Sequence, residues 1–378
     1  MLICMRDFMD KKIVMFIGSL HGGGAEKQFL LQAKFLSAFG YNVTIYSLEK
    51  KKNDKEFLGD KKSNLDIEYL VDLNNKSKIK KIVLLLQTPF LLRQRLKNEQ
   101  IILYSWLEIP NFISGIASIF KKNVRNVWAI RNSSIVSGKL SFIQKLNKIF
   151  SKEISLIANS KRGLDFYMEN LKYKASKSEV IYNFIEDKKF YPVCLDKKNK
   201  LRKKYGFLES DFIILSVSRV IPKKNVDKII YQFYMFDSED SDNKRNKLLI
   251  VGKYSESYKR VLDRMVSQYH LESKVIFAGD IRFNIEEFYN IADVYVLLSS
   301  DEGFSNTLYE SVSCGVFSLS TDVGDNRKLL SKDQIIIDIN DTYKKILDFK
   351  NKNIMQTISV LVNNQTEQKK LIEFMRSM

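Results

Sequence analysis

A pair of doubly wound parallel α/β domains is the fold that this 378-residue sequence predicts. Short apolar runs alternate with helical patterns from one end to the other, as strands joined by crossover helices do. A polar, lysine-rich passage from Glu186 to Lys204 breaks that rhythm, after which the alternation starts again. The length, with 45% hydrophobic residues, is enough for two cores and excludes a disordered or fibrous chain.

In the first half, apolar runs place strands at Ile13–Ser19, Asn42–Leu48, Leu65–Val71, Ile101–Ser105, Val124–Arg131, Ile154–Ser160 and Val180–Phe184. Helices are expected at Ala25–Phe39, closed by Gly40, and at Leu164–Leu171. The second half repeats the pattern with strands at Phe212–Ser218, Leu248–Gly252, Val275–Gly279, Val294–Leu298, Phe317–Ser320 and Ile335–Ile339. The implied division is 1–190 for the first domain and 191–362 for the second. A final helix within 363–378, about Thr366–Met378, is expected to return to the first domain. Two such domains face each other across a cleft, and ligands of this architecture sit beyond the carboxyl ends of the strands.

Charge separates the two halves. The net charge is +18, yet residues 1–200 hold 36 Lys and Arg against 19 Asp and Glu, while the remainder holds 26 against 25. A basic first half calls for an anionic partner: nucleic acid, a membrane surface or a phosphorylated substrate. Biased codon usage is the plainer source of so many lysines, but it does not segregate by half. Two histidines and three scattered cysteines cannot furnish a zinc site or a disulfide framework, so a reducing, cytoplasmic setting is expected. Met1–Lys12 lacks the continuous apolar core of a signal peptide. Glu108, Pro110 and Asn111 interrupt the apolar stretch Ile101–Phe120, which therefore does not read as a membrane span.

Three loops at strand ends carry chemistry. The first strand runs into His21-Gly22-Gly23-Gly24-Ala25-Glu26-Lys27 and then a helix, where unpaired amides and the helix dipole favour phosphate. The spacing is not GxGxxG, and no GK[ST] follows, which counts against a nicotinamide dehydrogenase and a Walker-type NTPase. In the second half Arg219-Val-Ile-Pro222-Lys223-Lys224-Asn225 ends a strand with two cations across a proline turn, able to point at one diphosphate. The third is Ser300-Asp301-Glu302-Gly303-Phe304-Ser305-Asn306-Thr307-Leu308-Tyr309-Glu310-Ser311, followed by Cys314-Gly315. It sets two carboxylates along one ligand and exposes helix N-terminal amides to an anion. The plainer readings are a structural turn, two solvated lysines, and carboxylates that merely suit the helix dipole.

Together these residues resemble the retaining, two-domain nucleotide-sugar glycosyltransferases of family four, with the GT-B fold of two facing Rossmann-like domains. The resemblance rests on Gly23-Gly24-Ala25-Glu26, on Arg219 with Lys224, on Glu302-x7-Glu310 inside EGFSNTLYES, and on Asn159-Ser160 and Ile181-Tyr182-Asn183. It covers nearly the whole chain in order. It implies a nucleotide-sugar donor, UDP-linked, held by the second domain, with no metal cofactor, and a lipid-linked or other glycan acceptor on the first. Arg219 and Lys224 would neutralise the leaving diphosphate. Glu302 and the amides around Phe304, Ser305, Asn306 and Thr307 would hold the sugar and diphosphate, and Glu310 would take the ribose hydroxyls. Gly252 and the backbone near Ile281 match the nucleobase pocket, and Gly23 and Gly24 would close over the phosphates. The resemblance also implies same-face attack, with the leaving oxygen taking the acceptor's proton, and a hexosyl- or N-acetylhexosaminyltransferase of bacterial surface-polysaccharide or glycan assembly.

The chain departs from the family pattern in places. Ser105-Trp106-Leu107-Glu108 occupies the region where many relatives place a histidine, and His21 and His270 do not replace it by position. Asn225 stands where glycine often follows the lysine. Arg131, in Ile130-Arg131-Asn132, resembles an RN element of polysaccharide-assembly members and is a candidate for acceptor or phosphate contact. Asp240-Ser241-Asp242 matches DxD only superficially and reads as a solvated acidic loop.

Lys139–Lys152 spaces apolar residues at 142/143, 146 and 149/150 among lysines 139, 145, 148 and 152. Such a helix either packs on the sheet or lies on an anionic leaflet, consistent with a peripheral enzyme at the inner membrane face. A nucleic-acid-binding protein is the other class, but no HTH, RRM, KH or zinc signature is present. A dinucleotide oxidoreductase, with Glu49 near the ribose position, ranks below both.

Overall fold

A computed structural model of the chain describes residues 11–20, 22–50, 65–74, 76–97, 99–136, 138–281, 283–352 and 362–378. The chain divides into two compact units, Met1–Phe184 with Asn364–Met378, and Ile185–Asn363.

The first unit is a seven-stranded, wholly parallel sheet. Its strands are β1 (Lys12–Ile17), β2 (Asn42–Glu49), β3 (Asp66–Val71), β4 (Ile101–Trp106), β5 (Val124–Ile130), β6 (Ile154–Ala158) and β7 (Lys177–Val180), in the order β3-β2-β1-β4-β5-β6-β7. The order reverses between β1 and β4, where Ile13 lies opposite Val43 on one side and Ile102 on the other. Both faces of β1 are covered, which is why its sequence reads as an unbroken apolar run. Ile13, Met15 and Ile17 pack with Phe29, Ala33 and Leu36 of helix Gly24–Ala38 and with Leu371 and Met375 of the terminal helix Asn364–Arg376. Val14 and Phe16 pack on the other face with Leu92 and Leu96 at the end of helix Lys78–Arg95 and with Ile113 of helix Glu108–Ala117.

The second unit has six parallel strands: β8 (Phe212–Val217), β9 (Asn246–Val251), β10 (Val275–Gly279), β11 (Val294–Leu297), β12 (Phe317–Thr321) and β13 (Ile335–Ile336). Their order, β10-β9-β8-β11-β12-β13, reverses between β8 and β11. No described helix is long and apolar enough to cross a membrane.

Some elements differ from expectation. The seventh strand is Lys177–Val180, with only Val180 in common with the predicted Val180–Phe184. Ile181 and Phe184 are buried, and the Ile181 N–H still donates to the Ala158 carbonyl at 2.9 Å, but beyond it side chains take the amides: the Tyr182 N–H donates to Glu367 Oε2 (2.8 Å) and the Phe184 N–H to Gln28 Oε1 (2.7 Å). The helix expected at Leu164–Leu171 begins earlier, where Ser160 caps Lys161–Asp165, and ends as a π-turn over Phe166–Asn170. The predicted strand Ile335–Ile339 stops at Ile336. Asp237 and Asp240 are buried and ion-paired, Asp237 with Lys274 and Asp240 with Lys350, and Asn246 Nδ2 donates a hydrogen bond to Asp240 at 2.7 Å. The acidic run is therefore a structural anchor at this end of the sheet.

Glu367, buried on the terminal helix, also accepts from Lys370 Nζ at 2.9 Å. Glu367→Ala removes the carboxylate that accepts from the Tyr182 N–H and from Lys370 and is expected to lower stability by about 1–3 kcal/mol. Chemical denaturation reads this, and an unchanged midpoint would show that the terminal helix is held by its apolar face alone.

Candidate functional site

In the second unit the loops after β8 and β11 flank the reversal point of the sheet. Pro222 opens a single 3-10 turn, Pro222–Lys224, and the chain leaves it through Asn225 at φ 51, in the left-handed region. Asn tolerates that conformation best after glycine, which accounts for the asparagine where the family pattern has glycine. Its side chain donates to the Leu298 carbonyl at 2.7 Å, and the Ser300 N–H donates to the Lys223 carbonyl at 3.0 Å. These bonds tie the two loops together. Lys224 Nζ then donates to the Glu302 carboxylate, both side chains being largely buried, and Lys223 pairs with Asp301 at 2.6 Å. Arg219 is exposed at the end of the same strand and makes no ion pair among the described residues.

Beyond Glu302, Ser305 caps the helix Asn306–Ser313, its hydroxyl accepting from the Leu308 N–H. Phe304 and Ser305 are buried, Phe304 edge-on to Tyr309 with ring centroids 5.6 Å apart. At those two positions it is the backbone, not the side chain, that can meet a ligand. Thr307 pairs with the buried Tyr295 hydroxyl at 2.8 Å. Glu310, one helical face further on, accepts from the Tyr289 hydroxyl at 2.9 Å. Burial raises the Tyr295 phenol, and the charges of both Glu302 and Glu310 add to that shift. The two predicted carboxylates thus share one neighbourhood.

Two glycines shape this surface. At Gly252 (φ 146) an added Cβ would lie 1.7 Å from the Ser218 carbonyl, so only glycine lets the β9 and β8 loops touch. Its N–H donates to the Gly279 carbonyl at 2.8 Å, two residues before half-buried Ile281. Gly324, absent from the sequence-based site, does the same after β12: its Cβ would meet the Gly303 and Glu302 carbonyls at 2.3 and 2.5 Å. The Asp325 N–H donates to the Gly303 carbonyl at 3.0 Å. A lone glycine just past a strand end was the available signal.

In the first unit, Gly23 precedes the helix Gly24–Ala38 as an N-cap with no side-chain cap bond, and both glycines are exposed. A Cβ on Gly23 would lie 2.3 Å from the Glu26 carboxylate, which folds back over the turn. His21 lies outside the described residues. His270 is exposed at the end of helix Glu256–Gln268, away from these loops.

Arg131 follows β5. Its guanidinium lies over the Trp106 ring, 3.6 Å from the centroid, and donates to Asn183 Oδ1 at 2.9 Å. Nε and Nη2 are buried without a hydrogen-bond partner among the described residues, as is Asn159 Oδ1. Burial lowers its pKa to about 10, opposed by the neighbouring Tyr104 hydroxyl, and it stays charged at neutral pH. The Asn159-Ser160 and Ile181-Tyr182-Asn183 segments are therefore legible here: Ser160 is a helix cap, and Asn183 orients Arg131.

Sequence reasoning noticed Glu108 as a break in an apolar stretch and as part of the segment where relatives place a histidine, and gave it no role in the site. It is buried, and its carboxylate accepts from the Tyr167 hydroxyl, from Asn132 Nδ2 and from Asn147 Nδ2, the last two at 3.3 Å. Gln144 extends this network by donating to Tyr167 (2.9 Å) and to the Ser134 carbonyl (3.2 Å), and by accepting from the Val136 N–H. Burial raises the Glu108 carboxyl above the usual range, opposed by those three donors.

The family described as Glycosyl transferases group 1 matches residues 197–376, and that described as Glycosyltransferase Family 4 matches residues 22–189. The chain belongs to the family-four GT-B glycosyltransferases. Among curated relatives, N-acetyl-alpha-D-glucosaminyl L-malate synthase of Bacillus anthracis is 31% identical over 146 residues, 39% of this chain and 36% of that protein. The N-acetylgalactosamine-N,N'-diacetylbacillosaminyl-diphospho-undecaprenol 4-alpha-N-acetylgalactosaminyltransferase of Campylobacter jejuni is 26% identical over 225 residues, 58% of this chain and 57% of that protein. The matches thus span from about a third to just over half of these relatives' length. In fold, the chain resembles Anabaena HepE, solved in complex with UDP, at TM-score 0.79 and 16% identity, covering 97% of this chain and 100% of that one.

Two outcomes follow from these contacts. Gly252→Ala combines a backbone clash with a left-handed φ and is expected to cost about 1–3 kcal/mol in thermal unfolding. A variant as stable as the parent would show that the β8 loop yields freely. Because the folded-state pKa of Glu108 is raised, its contribution is intact below the ordinary carboxylate value and is lost as pH rises through the raised value. Glu108→Gln should flatten this fall in stability with pH, and a retained slope would assign it to another group.

Proposed function

We propose that this family-four member transfers a hexosyl or N-acetylhexosaminyl group from a UDP-sugar, with retention and without a metal, to a lipid-linked glycan acceptor. The observation that carries the reading is the Arg219, Lys224 and Glu302 grouping at the β8/β11 reversal point, next to the Ser305-capped helix that bears Glu310. Positive charge and helix amides gather there without an acid base pair, which suits departure of a diphosphate more than hydrolysis.

In this reading Lys224 and Arg219 neutralise the charge that grows on the leaving phosphate oxygen. Lys224 is pre-positioned by Glu302, so little reorganisation accompanies that step. Glu310, held by Tyr289, takes the ribose hydroxyls, and the amides of Phe304 to Thr307 take the sugar phosphate. The leaving oxygen removes the acceptor's proton on the same face as departure. UDP is supported by the UDP complex of HepE, and a diphospho-polyprenol acceptor by the name of the Campylobacter relative. In the first unit Arg131, stacked on Trp106 and oriented by Asn183, is assigned to acceptor or phosphate contact. The enzyme is assigned to surface-glycan assembly, peripheral at the cytoplasmic face of the membrane.

Thermal stabilisation by UDP and by a panel of UDP-sugars tests the donor. Lys224→Ala should lower turnover by about 10²–10³-fold with the fold intact. Glu310→Ala should weaken UDP binding by about 1–3 kcal/mol. Full turnover in Lys224→Ala would remove the diphosphate role.

A further inference from the structure

Helix Lys78–Arg95 is apolar on two opposite faces. One face is occupied: Thr88 and Leu92 are fully buried, and Leu84 and Leu91 pack against the sheet core. On the other, Ile79 (77% exposed), Ile82, Val83, Leu86 (76%) and Phe90 (61%) recur at helical spacing and form one stripe that no described residue covers. A helix at the surface of a globular unit ordinarily carries charge there.

The stripe continues onto a second element. Phe120, 95% exposed and held at φ 61, tops the turn after helix Glu108–Ala117. Arg93 Nη1 donates to the Ala117 and Ile119 carbonyls at 3.0 and 2.6 Å, and Lys121 Nζ donates to the Leu96 carbonyl. Helix end and turn are thereby one piece. Between them lies an open cavity of about 510 Å³, lined by Phe90, Arg93, Gln94, Leu96, Lys97 and Lys121.

Charge selects the occupant. From Lys76 to Ile130 the chain has ten Lys and Arg but only Glu99 and Glu108. Glu108 is buried, and Glu99 is paired with Lys12. A second copy of this chain would bring the same cations face to face, which opposes self-association. An anionic bilayer satisfies both features, since apolar side chains enter the acyl boundary while a rim of lysines meets phosphates.

We infer that helix Lys78–Arg95, with Phe120, lies in the interface of an anionic membrane and is the main lipid-docking surface of the first unit. This rests on the reading above in taking the acceptor to be membrane-borne. It moves the contact away from Lys139–Lys152, where the helix Lys139–Leu146 and the 3-10 segment after it turn Gln144, Asn147 and Ser151 inward and expose Leu140, Phe142 and Ile149, fewer apolar residues than the stripe on helix Lys78–Arg95.

The test is sedimentation of the full chain with phosphatidylglycerol–phosphatidylcholine vesicles. Ile79→Ser/Leu86→Ser/Phe90→Ser is expected to weaken partitioning by about tenfold or more. Lys80→Glu/Lys81→Glu/Lys97→Glu, which touches only exposed side chains, should weaken it similarly and abolish its salt dependence. Both variants should keep the parent's circular dichroism, its thermal stabilisation by UDP and its turnover of a water-soluble acceptor analogue. Vesicle binding equal to the parent's in both variants overturns the inference. So does a parent that is dimeric by analytical ultracentrifugation and that the serine variant renders monomeric. UDP stabilisation reports on the transferase reading separately, so its absence from all three proteins, with vesicle binding still lost in the variants, would overturn that reading and leave the docking surface standing.

Discussion

Lys224 and Glu302 belong to loops that follow β8 and β11, 78 residues apart in sequence and adjacent in the sheet. Their ion pair, with the Asn225 to Leu298 and Ser300 to Lys223 hydrogen bonds beneath it, makes one surface from two loops. An ammonium ion at a strand end would ordinarily be mobile and hydrated. Here it is largely removed from water and oriented by a carboxylate, which lowers the cost of ordering it when charge develops nearby. Glycine at 252 and 324 then lets two further loops approach to contact distance, so four strand ends contribute to one region.

The first unit solves a different problem with buried polar groups. Glu108 sits just past β4, beside the reversal point of its sheet, and carries no cationic partner among its hydrogen bonds. Three neutral donors compensate it, and each comes from a different segment: the turn after β6, the loop after β5, and the 3-10 turn after helix Lys139–Leu146. A carboxyl satisfied this way is poorly replaced by an apolar group, because three polar side chains lose their partner together. The same network ties down Asn132, Ser134 and Val136, just after the Arg131 that lies over Trp106.

Much of the architecture was legible because parallel strands buried on both faces leave continuous apolar runs, and because the turn at Gly303–Asn306 leads into a helix that Ser305 caps. Where the reading failed, a non-local bond decided. Val180–Phe184 has the composition of a strand, yet Glu367 and Gln28, from distant helices, take its amides. Asp240 looks like part of a solvated loop until Lys350, over a hundred residues away, closes on it. The apolar spacing of 139–152 fits either a stripe packed on the sheet or one turned to a leaflet, and it does not disclose that the interior at that point holds the polar Glu108 network, towards which Gln144 and Asn147 turn.

Residue order alone determined the two α/β units, the family and the loops that hold its motif residues, since these depend on local periodicity and on spacing along the chain. The tertiary structure alone decided which of those residues meet. It set Lys224 against Glu302, placed Arg131 over Trp106 beside Asn183, exposed Gly324 as a packing requirement, and left the outer face of helix Lys78–Arg95 uncovered. The reason is that burial and pairing are set by elements distant in sequence, and a helix with two apolar faces does not reveal in its own residues which one the sheet will take.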